Sequence, residues 1–397
     1  MFGFPLEFLI FGFTLLAIAS LHGAALPAAL SGLLVTVAYK FVVLGAGTGA
    51  SWLLQLLGHE WPTLVNLLLL LVGFAVLANQ FEQSALPDAL PKWLPEAWWG
   101  GLVLLGVVFV LSAFLDNIAA AIIGGVMAKH VYQGRVSTGY LAAVVAASNA
   151  GGAGSVLGDT TTTMMWINGV SPLAVLRGFV AALVAFAVFA PLAALQQHRT
   201  APIRRQMQSH EPVDWARGTI VLILLSAIVS INVAGNALAP HEFEAGPWLG
   251  LGLWIFIGLT ALWRSPDWRV MPNAAKGAVF LVSLVAMAAM MPVEKLPSAS
   301  WQTTLGLGFL SAVFDNIPLT ALALKQGGYD WGLLAYAVGF GGSMVWFGSS
   351  AGVALSNLFP ESRAVVAWVR FGWYVPLAYV VGFFAQLFLL GWHPGRS

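Results

Sequence analysis

Two seven-residue stretches, SAFLDNI at Ser112–Ile118 and SAVFDNI at Ser311–Ile317, share five identical residues, and each lies within long apolar sequence. Each is followed by a second matched pair, GGAGSVLGDT from Gly151 to Thr160 and GGSMVWFGSS from Gly341 to Ser350. Both members of that pair contain two glycines, five further residues and a third glycine. Because order and spacing are kept, the chain is predicted to contain an internal duplication. Paired polar motifs that interrupt apolar segments are typical of a binding site at the middle of a membrane, built by both repeats.

Composition places the chain in a lipid bilayer. It is 59% hydrophobic and 8% charged, whereas about a quarter of residues are charged in soluble domains. A net charge of +1 gives no reason to expect a nucleic-acid partner. With no cysteine, disulfides and thiolate metal sites are excluded. The first residues lack the basic segment of a signal peptide and are expected to form a span. We therefore expect a multi-pass integral protein of a bacterial-type inner (plasma) membrane.

The apolar runs predict an all-α polytopic membrane protein with two inverted-topology repeats of five spans, each with a re-entrant hairpin and a broken helix. Repeat one covers 1–195, a cytoplasmic linker covers 196–217, and repeat two covers 218–397. A turn at Gly58-His59-Glu60 is predicted to precede the third span. In repeat one the predicted segments are about 4–21, 25–46, 61–81, 99–128 (hairpin), 139–167 (broken) and 173–195. In repeat two they are about 219–238, 247–263, 277–291, 301–324 (hairpin), 332–359 (broken) and 371–390.

Positive charge predicts the orientation. The linker carries four arginines and the connector WRSPDWRVMPNAAK is also basic, while the loop HEFEAG between them is acidic. Basic loops tend to remain cytoplasmic. Counting from them, the first hairpin opens to the cytoplasm, the second opens outward, and both termini lie outside. Lys40 fits least well, because this count places it within the outer half of a span, although lysine can extend its amine to the interface.

Three aspartates at predicted membrane depth are the candidates for chemistry: Asp116, Asp159 and Asp315. Such residues cost about 2.5 to 3.5 kcal/mol each on insertion scales, so they require an explanation. Converging carboxylates suggest a cation, because hard metal ions prefer oxygen ligands and a partly dehydrated carboxylate can exchange the ion for a proton. Neutral oxygens would come from side chains nearby: Asn117, Asn149, Asn316, Thr160 to Thr163, Ser343, Ser349 and Ser350.

A purely structural interpretation remains open for each of these residues. Asp159 precedes four threonines and could simply cap the N-terminus of the second half-helix, and capping would not exclude a role at the site. Asp116 and Asp315 could cap the hairpin arms in the same way. The glycines could serve only close helix packing, as small residues often do in membranes.

Three long motifs carry a resemblance to a known family. They are SNAGGAGSVLGDTTTTMMWINGVSP, FDNIPL and GFGGSMVWFGSSAGVAL. They resemble the NhaD-type sodium/proton antiporters of the ion-transporter superfamily, which carry a near-identical NAGG…GD…TT segment, an Asp-Asn pair in each half and a GTGGS…GSAAG segment. The resemblance covers about 100–170 and 300–355. It departs at Phe340, where the family commonly has threonine, at Gly154, where it often has an aromatic residue, and in the longer threonine run.

The resemblance implies oppositely oriented hairpins, broken helices that meet them, an elevator-like homodimer, and exchange of Na⁺ (or Li⁺) for H⁺ without a cofactor. The three aspartates would be the Na⁺ ligands. Carried over residue by residue, the implied ion- and proton-binding site consists of Asp116, Asn117, Asn149, Gly151, Gly152, Asp159, Thr160, Asp315, Asn316, Gly341, Gly342 and Ser343.

Other functions remain as alternatives. The wider superfamily also transports arsenite, citrate and dicarboxylates, although the predicted core offers no arginine or lysine for an anion. An intramembrane aspartyl protease would need a Gly-x-Gly-Asp signature, and Val156 stands where its first glycine should be. A passive channel is a further possibility, but inverted hairpins at a midplane site suit alternating access better.

Overall fold

The computed structural model describes residues 5–20, 25–86, 94–203, 212–238, 242–243, 245–314 and 316–395. These residues form helices and connections, with no strand among them. The α-helices of the first half are α1 (Leu6–Ser20), α2 (Ala25–Leu44), α3 (Ala46–Glu82), α4 (Trp98–Ser112), α5 (Asn117–Val131), α6 (Thr138–Ala153), α7 (Thr160–Ile167), α8 (Pro172–Leu176) and α9 (Gly178–Thr200). Those of the second half are α10 (Trp215–Leu238), α11 (Trp248–Ala261), α12 (Met271–Ala289), α13 (Trp301–Ser311), α14 (Asn316–Gln326), α15 (Trp331–Gly341), α16 (Ser350–Leu358), α17 (Val365–Phe371) and α18 (Tyr374–Leu390).

Several helices are long and apolar enough to cross a bilayer. Within the described residues, four meet that requirement by length and composition, and α17 with α18, bent by 60°, would make a fifth. The chain is therefore a multi-pass integral membrane protein. The four stretches are Leu26–Leu44, Glu60–Glu82, Pro172–Thr200 and Trp268–Ala289.

The predicted turn at Gly58-His59-Glu60 is wrong, because α3 is helical from Ala46 to Glu82. Glycine weakens a helix by only about 1 kcal/mol, which the surrounding apolar sequence can outweigh. Pro62 also lies inside this helix. It removes one backbone donor, and membrane helices tolerate such a residue where neighbouring groups satisfy the freed carbonyl.

The chain divides into two compact units. The first comprises Met1–Gln80, Thr219–Leu296 and Ala321–Gln326. In it α2 packs against α1 and α12, and the end of α11 is fixed to α3 by polar contacts. The Gly250 N–H donates to Asn66 Oδ1 at 2.6 Å, and Trp254 Nε1 donates to the Leu69 carbonyl at 2.9 Å.

An ion pair joins α1 and α2 in this first unit. Lys40 Nζ lies 2.7 Å from Glu7 Oε1, and the two side chains are only 16% and 12% exposed. The lysine that fits the predicted topology least well is thus held by an acidic partner from the neighbouring helix. Pairing lowers the free energy of placing either charge in an apolar medium.

The second unit comprises Phe81–Gly218, Pro297–Thr320 and Gly327–Ser397. Two helices form its centre, because α15 and the residues of α6 from Gly139 onward are buried along their whole length. The helix α9 packs against α4, α6 and α18 around them. The two central helices come from the two halves of the sequence, and each ends at one of the repeated Gly-Gly pairs.

Candidate functional site

Each DN motif lies where a pair of helices is interrupted. The first pair, α4 and α5, is separated by residues 113–116, and Asp116 caps α5 by accepting the Ile118 N–H at 3.1 Å. The two arms lie side by side, because a Cβ at Gly124 would overlap Val108. In the second pair, α13 ends at Ser311 and α14 begins at Asn316. Asp315 itself lies outside the described residues.

Each Gly-Gly motif lies where a second pair of helices is interrupted. The helices α6 and α7 are separated by residues 154–159, and α15 and α16 by residues 342–349. Asp159 caps α7, accepting the Thr161 N–H at 2.8 Å. Ser349 holds the corresponding position and caps α16, accepting the Gly352 N–H at 3.3 Å. The two halves thus use the same backbone device with different chemistry, a carboxylate in one and a hydroxyl in the other.

The repeated glycines allow the interrupted helices to approach backbone to backbone. A Cβ at Gly151 would overlap the Phe109 carbonyl, and one at Gly341 would overlap the Gly308 carbonyl. The second glycine of each pair, Gly152 or Gly342, faces the carbonyl of the third glycine of its own motif. For these four residues, close packing is a sufficient explanation of glycine.

Serines complete the same contact in both halves. Ser112 Oγ donates to the Ser148 carbonyl at 2.5 Å, and Ser311 Oγ donates to the Val338 carbonyl at 2.6 Å. Ser148 and Val338 each lie three residues before their Gly-Gly pair. The two copies of the sequence motif therefore make the same contact, from a serine hydroxyl to a backbone carbonyl.

The carboxylate of Asp159 divides its two oxygens between two tasks. Oδ1 accepts the N–H of Thr161 and also its hydroxyl, at 2.8 and 2.9 Å, and so fixes the start of α7. Oδ2 accepts the amide Nδ2 of Asn117 at 3.0 Å and that of Asn316 at 3.4 Å. Asp159 is 2% exposed. The two asparagines of the repeated DN motifs, one from each half, therefore meet at one oxygen.

A second buried amide connects the two halves. Asn149 Oδ1 accepts Asn117 Nδ2 at 3.1 Å. Its Nδ2 donates to Ser343 Oγ at 2.9 Å and to Ser349 Oγ at 3.1 Å. Asn149 has no exposed surface. All hydrogen-bonding groups of its side chain are thus used within a polar cluster of Asn117, Asn149, Asp159, Asn316, Ser343 and Ser349, which we call the central cluster.

The threonine run satisfies the backbone at the first interruption. Thr162 Oγ1 donates to the Ser155 carbonyl at 2.6 Å, and Thr163 Oγ1 donates to the Val156 carbonyl at 2.8 Å. Carbonyls freed by a break in a helix require a partner in an apolar environment. These two carbonyls already accept hydroxyls, so the additional threonines have a structural role.

The central cluster brings together five of the residues predicted for the site: Asn117, Asn149, Asp159, Asn316 and Ser343. The Asp116 carboxylate interacts electrostatically with Asp159 and lies beside the Thr160 side chain. Among the described residues no three Asp, Glu, His or Cys side chains group as metal ligands. The predicted convergence of three aspartates on Na⁺ includes Asp315 and therefore stays a prediction.

The departures from the family motifs at Gly154 and Phe340 each have a local explanation. A Cβ at Gly154 would overlap the ring of Phe179, so an aromatic side chain from α9 occupies the space beside that position. The ring of Phe340 stacks on Tyr336 with centroids 5.3 Å apart. It is fully buried in aromatic surroundings rather than among the polar side chains. Neither departure alters the central cluster.

Two features of the molecule were not found from the sequence. Glu7, the partner of Lys40, lies in an apolar run where a single glutamate near one end gives no signal of pairing. Gly339, which lies beside Asp159, was also missed. Aligning the two Gly-Gly pairs would have identified it, because it occupies the position that corresponds to Asn149.

Comparison with known proteins gives relatives of one kind. No protein-family model matches the chain. It is 31% identical over 292 residues to "Sodium/proton antiporter 1" of Arabidopsis thaliana, which covers 64% of this chain and 49% of the relative. It is 28% identical over 356 residues to "Na(+)/H(+) antiporter NhaD" of Vibrio parahaemolyticus, covering 75% and 84%. A third relative, "Na(+)/H(+) antiporter NhaD" of Vibrio cholerae, is 27% identical over 395 residues, covering 84% and 80%.

The resemblance to NhaD-type antiporters that the motifs predict is confirmed by these similarities. The chain spans about half the length of the plant relative and most of the length of the two bacterial ones. All three are named as antiporters rather than as enzymes, in agreement with the prediction that the chain is not an enzyme.

Proposed function

From its similarity to NhaD-type sodium/proton antiporters, we propose that this chain is a secondary active transporter that exchanges Na⁺ or Li⁺ for H⁺. The observation that carries the proposal is the buried Oδ2 of Asp159, which accepts amides from both halves of the chain. A buried carboxylate is stable either with a proton or with a cation. The transported ions are its substrates, and the proposal includes no resident cofactor.

The asparagines supply a means of exchange at this carboxylate. As arranged here, Asn117 and Asn316 present N–H groups to Oδ2. A half-turn of either amide about its last side-chain bond would present a carbonyl oxygen instead. Oxygen is the ligand that hard cations prefer. Rotation of the amides would thus replace hydrogen-bond donors beside Oδ2 with oxygen ligands for a cation, without moving the backbone.

The remaining predicted residues have roles in this proposal. Asp116 and Asp315 occupy equivalent positions of the repeated sequence motifs, and their carboxylates would complete the charge at the site. Ser343 and Thr160 would supply neutral oxygens. The glycines at 151, 152, 341 and 342 would hold the interrupted backbones close enough for these side chains to meet.

For the architecture, we propose two inverted repeats, 1–195 and 218–397, joined by a cytoplasmic linker at 196–217. The equivalent serine and glycine contacts of the two halves support a duplication, and each compact unit contains corresponding parts of both proposed repeats. The hairpins would be re-entrant and open to opposite sides of the membrane. An elevator-like homodimer in a bacterial-type inner membrane is the assembly that the NhaD resemblance suggests.

Anion transport is the alternative within the same superfamily. The partners given above for the Asp159 carboxylate are amides, a hydroxyl and a backbone N–H, whereas an anion would be repelled by this carboxylate. The relatives are also named for cations. Sodium/proton exchange is therefore the better-supported function.

Proton flux in proteoliposomes that contain a pH-sensitive dye tests the proposal. Na⁺, Li⁺, K⁺, citrate and arsenite are added in turn to vesicles with wild type, Asp159→Asn or Asp267→Asn. The last variant makes the same chemical change at an aspartate that caps a short helix elsewhere. Na⁺ or Li⁺ should drive flux in wild type and Asp267→Asn and fail to do so in Asp159→Asn. A response to the anions alone, or undiminished Na⁺-driven flux in Asp159→Asn, would refute it.

A further inference from the structure

Gly339 lies beside the carboxylate of the central cluster. A Cβ built on Gly339 would lie 3.6 Å from Asp159 Oδ2, 3.8 Å from Ala153 Cβ and 3.9 Å from the Asn149 carbonyl oxygen. The oxygen nearest to that position is the one that accepts both asparagine amides. The space on this side of Gly339 is thus bordered by a carboxylate oxygen and a backbone carbonyl oxygen, the two ligand types that a hard cation takes.

The residue that corresponds to Gly339 in the other half of the chain carries a side chain. When the Gly-Gly pairs are aligned, Gly339 corresponds to Asn149 and Asp159 corresponds to Ser349. Asn149 reaches Ser349 through its amide at 3.1 Å. The equivalent pair, Gly339 and Asp159, has no side chain on the helix to make that contact. Residue 149 thus extends an amide toward the capping residue of the other half, whereas residue 339 extends no side chain toward Asp159.

Packing does not explain glycine at this position. Gly341, two residues later, could not carry a Cβ without overlapping the Gly308 carbonyl. At Gly339 each of the nearest atoms would be at ordinary van der Waals distance. Its φ is also not in the left-handed region, so an L-residue would not be strained there. Alanine would be accommodated and would favour the helix, yet the position is glycine.

We propose that Gly339 sets ion selectivity by keeping space for the transported cation between its Cα, Asp159 Oδ2 and the Asn149 carbonyl. This inference rests on the proposed sodium/proton exchange and adds a residue that decides which cation fits. A methyl group at 339 would narrow the space without removing any ligand. The larger Na⁺ should therefore be excluded more strongly than the smaller Li⁺.

The test uses the full-length protein in proteoliposomes with wild type, Gly339→Ala, Gly339→Asn and Gly306→Ala. Gly306 lies on α13, where an added Cβ would meet nothing within 4 Å, so its variant controls for the methyl group alone. Initial rates of proton flux are measured against Na⁺ and Li⁺ concentration. A single-carbon mismatch changes discrimination by about tenfold or more. We expect Gly339→Ala to raise the half-saturating Na⁺ concentration by about that factor and the Li⁺ value by less.

Gly339→Asn would place the corresponding amide in the space, and we expect it to abolish flux with both cations. The melting temperature of Gly339→Ala should equal or exceed that of wild type. A lower melting temperature, or unchanged half-saturation for both cations, would overturn the inference while leaving the exchange proposal intact. Absence of Na⁺- and Li⁺-driven flux in wild type would instead refute the proposed function, and the inference with it.

Discussion

Asn149 is expected to be the largest contributor to stability among the neutral residues of the central cluster. Its amide forms three hydrogen bonds, one with Asn117 and two with the serines Ser343 and Ser349, in a fully buried position. Each such bond contributes about 1 kcal/mol net. Asn149→Ala should therefore lower the free energy of unfolding by about 3 kcal/mol, and more if the resulting cavity does not collapse.

The neighbouring residue provides a matched control. Ser148 is equally buried, but its hydroxyl donates only to the Val145 carbonyl of its own helix, at 3.0 Å. Its carbonyl, which accepts Ser112, is unchanged in Ser148→Ala. This variant should lose about 1 kcal/mol or less. Both substitutions truncate a buried side chain at adjacent positions of α6. Only Asn149→Ala removes hydrogen bonds to the second half of the chain, those to Ser343 and Ser349.

Intrinsic fluorescence from the 17 tryptophans of the chain gives a convenient measure of thermal unfolding in detergent. At about 2 °C for each kcal/mol in a chain of this size, Asn149→Ala should melt about 6 °C below wild type. Ser148→Ala should melt within about 2 °C of wild type. All samples need one heating rate, since unfolding of membrane proteins in detergent is often irreversible. Equal melting temperatures for the two variants would refute the assigned role of the Asn149 contacts.

Two further substitutions test the packing and the ion pair. Gly151→Ala should prevent accumulation of folded protein, measured by size-exclusion chromatography, because its Cβ would overlap the Phe109 carbonyl. Gly258→Ala is the control, since a Cβ there would meet nothing within 4 Å. Equal yields of the two variants would contradict the assigned packing. Glu7→Gln should leave Lys40 without its charged partner, lower the free energy of unfolding by about 3 kcal/mol and so lower the melting temperature. Adding Lys40→Met should restore most of the loss, and a double variant no more stable than Glu7→Gln would contradict the pairing.

Local chemistry accounts for the part of the structure that could be predicted. An aspartate followed by a helix-forming run is a capping signal, and both Asp116 and Asp159 cap helices as their sequence context suggests. The structural interpretation of Asp159 is therefore correct for Oδ1. Oδ2 accepts the amides of Asn117 and Asn316 instead, so capping and a place in the central cluster occur together in one side chain.

Contacts between distant parts of the chain account for what could not be predicted. The hydrogen bond from Asn149 to Ser349 joins residues in different halves, and no local periodicity reports it. The pairing of Glu7 with Lys40 similarly depends on how α1 and α2 are rotated against each other. The turn expected at Gly58 was wrong for a related reason: glycine marks a weak point in a helix, and the surrounding apolar sequence decides whether the helix ends there.

The differences between the two halves say more about the proposed ion site than their similarities do. Both halves share three features: a serine hydroxyl that donates to a carbonyl, a glycine packed against a carbonyl, and a side-chain oxygen that caps a helix. These features recur because interrupted helices pack closely together in both halves. Ser349 caps α16 with a neutral hydroxyl where Asp159 caps α7 with a carboxylate, so capping alone does not require a charge at this position. A second carboxylate at 349 would add like charge to the cluster. The charge is in the first half, at Asp159, and the glycine that lies beside it, Gly339, is in the second half. In the proposed exchange, the two halves would therefore both contribute to the cation site, one through the carboxylate and the other through the glycine.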